Sequence, residues 1–114
     1  MLPVSIGIDI EEVSKFSSKK YENQKSFYNK IFTKQEIDYC LKKNNPYPHF
    51  TARFCAKEAA VKALKNKKIN LLDIEIIIKN KGPLIKLPNG KRGVVSLSHT
   101  ETYAIAIVML KQIK

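Results

Sequence analysis

Glycine is scarce in this chain, with four in 114 residues. None are clustered as a Walker loop or a GxGxxG fingerprint requires, so backbone cradles of that kind for nucleotide phosphates are excluded. Cysteine is scarcer still: Cys40 and Cys55 only. They show no CxxC spacing and no zinc-motif histidine, which leaves two reduced, structural thiols. No Ser/His/Asp or Cys/His catalytic set emerges. No apolar run is long enough to span a membrane. The N-terminus lacks a basic start, and Gly7 and Asp9 interrupt its apolar stretch, so it does not read as a signal peptide. A cytoplasmic protein of one domain, residues 1–114, is expected. Acidic residues are also in deficit, 10 against 21 basic ones, for a formal net charge of +11. The excess is densest at Lys19-Lys20, Lys42-Lys43 and Lys65-Lys67-Lys68. Such a surface suits nucleic acid, an anionic membrane, a polyphosphate ligand or an acidic protein, and charge alone does not choose among them.

Against that background, Arg53-Phe54-Cys55-Ala56-Lys57-Glu58-Ala59-Ala60-Val61-Lys62 stands out. It reads as an alanine-rich helix carrying ordered charge. At about 100° per residue, Glu58 and Lys62 share one side, and Arg53 and Lys57 occupy another strip. Two readings fit. One is a solvated Glu58–Lys62 pair. The other is a carboxylate among cations that holds a divalent metal beside a phosphate. A second acidic segment bears on the choice. Val4 to Glu11 alternates strictly, with Val4, Ile6, Ile8 and Ile10 on one face and Ser5, Gly7, Asp9 and Glu11 on the other. The pattern predicts a strand whose isoleucine face is buried. Asp9 and Glu11 then lie on one side, able to reach one ion. Mg²⁺ favours one or two carboxylates completed by water and substrate phosphates. Gly7 leaves room for something to approach the backbone.

Residues 13–31 read as irregularly helical, anchored by Phe16, Phe27, Tyr28 and Ile31. Thr33-Lys34-Gln35-Glu36 is a capping box. It predicts a helix to about Lys43 with Ile37, Cys40 and Leu41 inward. Asn44-Asn45-Pro46 is read as its stop, with Pro48 keeping the next loop irregular. The charged helix should then run from about Phe50 to Lys65. The second half is strand: Asp73–Lys79 with Ile74, Ile76 and Ile78 on one side, Leu84–Leu87, Val94–Ser98 and Tyr103–Leu110. His99 sits at the mouth of the last hairpin among Ser96, Ser98 and Thr100, donors suited to a phosphate or a purine edge. The expected fold is α+β, an antiparallel sheet with helices on one side.

Three segments together resemble the short bacterial type of 4′-phosphopantetheinyl transferase, the holo-[acyl-carrier-protein] synthases. Ile6-Gly7-Ile8-Asp9-Ile10 is similar to the family's G-x-D-I pattern. Arg53-Phe54 with Lys57-Glu58-Ala59-Ala60 and Lys62-Ala63 is similar to R-F-x-x-K-E-A-x-x-K-A. Val95-Ser96-Leu97-Ser98-His99-Thr100, followed by Tyr103-Ala104, is similar to the C-terminal V-S-I-S/T-H-T…Y-A segment. The resemblance implies transfer of the phosphopantetheine arm of coenzyme A to a serine of apo acyl carrier protein, releasing adenosine 3′,5′-bisphosphate, a step of fatty acid biosynthesis. It implies that Asp9 and Glu58 hold Mg²⁺, that Lys62 contacts the pyrophosphate, and that Arg53, Lys57, Ser98, His99 and Thr100 lie around coenzyme A. It implies that Lys15, Lys19 and Lys20 dock the acidic carrier protein, and that the chain forms a homotrimer with sites between neighbours. Neither nucleic acid nor membrane is an expected partner on this reading.

Departures from the family pattern are also visible. The usual glycine-rich bend after the charged helix is Leu64-Lys65-Asn66-Lys67-Lys68 here, so the loop differs in shape or its lysines take phosphate contacts. Lys15 stands where an arginine is usual, keeping charge but losing bidentate geometry. Glu11 matches a third metal ligand of the larger relatives. The short segment before Val94 leaves no room for a helix found there in many members. A rival reading of another class is a small basic nucleic-acid-binding module. Against it, the aromatics are not interleaved with the basic residues on a sheet face.

Overall fold

The computed structural model describes residues 3–111. Five strands form one antiparallel sheet in the order β1-β5-β4-β3-β2. They are β1 (Val4–Glu12), β2 (Glu75–Lys79), β3 (Gly82–Lys86), β4 (Arg92–His99) and β5 (Tyr103–Lys111). The helices are α1 (Ser14–Ser17), α2 (Lys25–Asn29), α3 (Lys34–Leu41) and α4 (Pro46–Leu64), gathered on one side of the sheet as expected. Short 3-10 turns occupy Tyr21–Asn23, Leu71–Asp73 and Pro88–Gly90. The last of these is all that stands between β3 and β4, in place of a longer helix.

Local chemistry accounts for the elements. Thr33 and Glu36 form the capping box that opens α3: Thr33 Oγ1 accepts from the Glu36 N–H, and a Glu36 oxygen accepts from the Thr33 N–H. Ile37 and Cys40 point inward, but Leu41 is exposed, because α3 ends there rather than continuing to Lys43. The prolines do not hold a loop open. Asn45 Oδ1 caps α4 by accepting from the Tyr47 N–H, and Pro46 takes the first helical position, where a missing N–H costs nothing. Pro48 lies in the same first turn, so α4 begins one turn before Phe50.

The β1 faces are the reverse of the sequence expectation. Ile6, Ile8 and Ile10 are 53%, 52% and 60% exposed, and the Ser5/Gly7/Asp9/Glu11 face turns toward α4. The cause is the surface that α4 presents. Ala52, Ala56, Ala59, Ala60 and Ala63 pack on Ala104, Ala106, Val108 and Leu110 of β5. Small residues on both sides bring helix and sheet too close for isoleucine on the neighbouring strand. A Cβ on Gly7 would overlap the Ala59 carbonyl oxygen, so the molecule that approaches this glycine is α4 itself. Beyond α4 a second core gathers Phe16, Tyr28, Phe32, Phe50 and Phe54. The Tyr28 hydroxyl lies 2.9 Å from the Phe16 carbonyl and 2.7 Å from that of Lys19, which fixes the irregular segment after α1. Phe27 and Ile31 pack at its edge. Ile74 and Ile76 are buried, while Ile78 near the sheet edge is exposed.

Candidate active site

The position of α4 over β5 divides its charged residues between two flanks. In the ladder, Glu11 and His99 both pair with Ala104, from opposite sides of β5. Paired residues share a face, so both lie on the helix side, with backbones about 10 Å apart. Ala104 itself is buried beneath α4. Arg53 and Glu58 are five residues apart on the helix, a rotation of about 140°. Asp9, Glu11, Glu58 and Lys62 meet on the β1 flank; Arg53, His49 and His99 meet on the β4 flank.

On the β1 flank, Lys62 Nζ donates to the Ile8 carbonyl at 2.8 Å and to Asp9 Oδ1 at 3.3 Å. The other Asp9 oxygen, Oδ2, is buried with no hydrogen-bond partner among the described residues. Glu11 is pushed up to about 7, first by burial and then by its hydrogen bond to Asp9 and the repulsion between them. The Asp9 and Glu11 carboxylates repel each other, and that repulsion helps to raise Glu11. The pocket has more negative charge than its own residues neutralise. Glu58 is also raised, by burial and then by Asp9, while Lys15 and Lys62 pull it down. Lys15, expected at the carrier-docking surface, thus stands close enough to act on Glu11 and Glu58; its Nζ lies 5.0 Å from the Phe54 ring centre.

A divalent cation fits this donor set. Among the described residues no three carboxylate, histidine or cysteine groups form a complete cage. Asp9 and Glu58, with an unpartnered oxygen and mutual repulsion, offer the two carboxylates that Mg²⁺ takes when substrate phosphates and waters complete its shell. A cavity of about 700 Å³ begins at Glu58 and Lys62 and runs past Val61 and Ile69 to Lys65 and Lys67. Lys65 closes α4 with φ 58°, a left-handed position that glycine usually takes.

On the β4 flank, Arg53 is 3% exposed, and its guanidinium stacks 4.1 Å from the Tyr39 ring centre. One terminal nitrogen donates to the His49 carbonyl at 3.4 Å, and Nε is unpartnered among the described residues. The His49 and His99 rings lie 4.8 Å apart, edge to face. Sequence reading missed His49; its signal is the spacing of one helical turn before Arg53.

Other predicted residues are placed elsewhere. Lys57 is not in either cluster. It is fully buried, paired to Glu36 at 2.7 Å and hydrogen-bonded to the Ile31 and Leu71 carbonyls, with no donor left for coenzyme A. Ser98 pairs with Ile105 on the opposite face of the sheet from His99. The Thr100 hydroxyl accepts from the Thr102 and Tyr103 N–H groups and so closes the β4–β5 turn. Lys19 and Lys20 lie over the rings of Phe27 and Tyr47.

A sequence model of the 4′-phosphopantetheinyl transferase superfamily matches residues 5–108. The chain belongs to this superfamily. Curated relatives include the holo-[acyl-carrier-protein] synthase of Chlamydia caviae, 40% identical over 96% of this chain and 98% of its own length. That of Thermodesulfovibrio yellowstonii is 39% identical over 92% of this chain and 96% of its own length. Among solved structures, the Bacillus anthracis holo-(acyl-carrier-protein) synthase in complex with CoA (3′,5′-ADP) superposes with a TM-score of 0.80 at 28% identity, covering 96% of each chain. The Helicobacter pylori synthase in complex with coenzyme A gives 0.79 at 29% identity, covering 94% of this chain and 99% of the other. The family pattern on α4 therefore sits in a transferase fold, with its glutamate and second lysine beside the β1 aspartate.

Proposed function

We propose that this chain is a holo-[acyl-carrier-protein] synthase, which moves the 4′-phosphopantetheine arm of coenzyme A onto a serine of apo acyl carrier protein. The observation that carries the reading is the meeting of Asp9, Glu58 and Lys62 in a chain of this superfamily. In the reaction the serine oxygen forms a bond to the β-phosphorus of coenzyme A. The bond from that phosphorus to the bridging oxygen breaks, and adenosine 3′,5′-bisphosphate leaves. Such transfer depends on positioning and charge neutralisation more than on covalent help. Asp9 and Glu58 would hold Mg²⁺, which when bound supplies charge neutralisation at the pyrophosphate. Lys62 Nζ, already aimed at the carboxylates, contacts the pyrophosphate and stabilises the leaving phosphate.

The nucleotide end of coenzyme A belongs to the β4-flank cluster of Arg53 and His99. Within one chain α4 stands between that cluster and Asp9, Glu58 and Lys62. A ligand that meets both sets bridges two copies, which supports a homotrimer with sites between neighbours. The exposed sheet face of Ile6, Ile8, Ile10, Ile105, Ile107 and Met109 supports the same assembly, since an apolar patch of that extent marks an interface. Lys15, Lys19 and Lys20, in a chain of net charge +11, suit an acidic carrier protein. The place of action is the cytoplasm, in fatty acid biosynthesis. The nucleic-acid-binding reading loses ground because Phe16, Tyr28, Phe32 and Phe50 are core residues, not a stacking platform. The test is mass spectrometry of apo acyl carrier protein after incubation with the chain, coenzyme A and Mg²⁺. A gain of one phosphopantetheine arm is expected, and an unchanged carrier mass refutes the reading.

A further inference from the structure

We propose that Lys57 is a positioning residue for the transfer: its ammonium group tethers to α4 both the loop that walls the cavity and the segment that docks the carrier. The inference rests on the transferase reading for the identity of the two substrates. Lys57 directly precedes Glu58 on α4, and its side chain is fully buried. Its Nζ directs one N–H to Glu36 Oε1 at 2.7 Å, one to the Ile31 carbonyl at 2.7 Å and one to the Leu71 carbonyl at 3.0 Å. A lysine ammonium has three donors, so all are engaged. An ion pair needs only the first. The other two end on carbonyls 26 residues before and 14 residues after Lys57.

Each carbonyl belongs to a piece of the site. Leu71 lines the cavity together with Lys65, Asn66, Lys67 and Ile69. Residues 66–70 form neither helix nor strand. They are held at one end by the α4 cap at Lys65 and at the other by the Leu71 carbonyl on Lys57. Ile31 ends the stretch that carries Lys15, Lys19 and Lys20, just ahead of the Thr33 cap of α3. Asp9, Glu58 and Lys62 sit on β1 and α4, outside both tethered pieces. Loss of the tethers should therefore weaken the binding of both substrates and spare the chemical step.

The test compares two changes to the same ion pair in the full chain, by steady-state transfer and by amide hydrogen exchange. Lys57→Met with Glu36→Leu removes both charges together with the tethers. Glu36→Gln removes one charge and keeps them, since even a neutral amine has two N–H groups for the two carbonyls. The double variant should raise KM for coenzyme A and for the carrier about threefold or more each, with kcat little changed. Amides of residues 66–70 and 29–31 should exchange faster in it, while those of residues 52–60 in α4 are unchanged. Glu36→Gln should lose stability yet hold both KM values and the protection of both segments near wild type. Unchanged KM values and exchange in the double variant, or equal KM increases in both variants, would make Lys57 a purely structural residue and overturn the proposal. A carrier left unmodified by the wild-type chain defeats the transferase reading, and the exchange pattern then still decides whether Lys57 tethers the two segments.

Discussion

Lys57 Nζ lies 2.7 Å from a Glu36 oxygen, and neither side chain reaches solvent. The lysine also donates to the Ile31 and Leu71 carbonyls, and the other Glu36 oxygen accepts from the Ile76 N–H. The pair joins α3, α4 and the edge of the sheet. Removal of one partner leaves the other charge buried, so Lys57→Met should destabilise the fold by about 3–5 kcal/mol. Lys57→Met with Glu36→Leu should cost less than the sum of the single changes. Urea titration of the three variants checks this; strict additivity would show that the two charges are not coupled.

Lys62, five residues on, should behave in the opposite way. Its side chain is largely exposed, and its contacts are to the Ile8 carbonyl and Asp9. Lys62→Ala should retain near-wild-type stability and lower kcat about 100-fold or more, as loss of a donor to developing charge does. A large stability loss with normal turnover in the folded protein would make Lys62 a structural residue.

The contrast between these lysines marks the limit of sequence reading. Spacing placed Glu58 and Lys62 on one side and Lys57 on another, which the helix bears out. It does not say which side is buried, and Lys57 was expected at coenzyme A. The same limit reversed the faces of β1. Alternation gave the strand and put Asp9 with Glu11, but residue size on α4, a tertiary fact, decided which face turned inward. α3 does end before Asn45–Pro46, but that pair also opens α4 where a loop to about Phe50 is expected, because the same residues serve both ends of helices. The capping box at Thr33 was legible because both partners lie within one turn.

Glu11 gives a pH signature. Its folded-state value of about 7 lies above the ordinary 4.5, so the folded protein binds more protons in that interval. Stability of the metal-free chain should therefore fall as pH rises from about 4.5 to about 7, and Glu11→Gln should flatten that slope. Added Mg²⁺ competes with the proton for the carboxylates, so its stabilising effect should grow over the same interval. Thermal midpoints across the pH series check both; a Glu11→Gln slope equal to wild type would assign the dependence to other groups.

Lys65 holds a left-handed conformation that costs any side chain other than glycine. Lys65→Gly should stabilise the fold by up to about 1 kcal/mol. Its side chain lines the cavity beside Lys62, so the same variant should raise KM for coenzyme A with little change in kcat. Unchanged KM would show that the loop lysines face solvent during turnover.

The two faces of β5 carry the last prediction, a homotrimer. Ala104, Ala106, Val108 and Leu110 are buried under α4, while Tyr103, Ile105, Ile107 and Met109 are exposed on the opposite face. Ile107 pairs with Ile8 of β1, itself exposed, so the apolar surface continues across strands. A closed ring of copies would cover it without leaving an open edge for further growth. Sedimentation should give three times the 13.0 kDa chain mass. Ile107→Glu places a charge on that surface without touching the core beneath α4, so the variant should fold and sediment as a monomer. It should also lose carrier modification, because the β1-flank carboxylates of one copy would no longer meet the Arg53 cluster of another. A folded, fully active Ile107→Glu monomer would place the complete site within one chain.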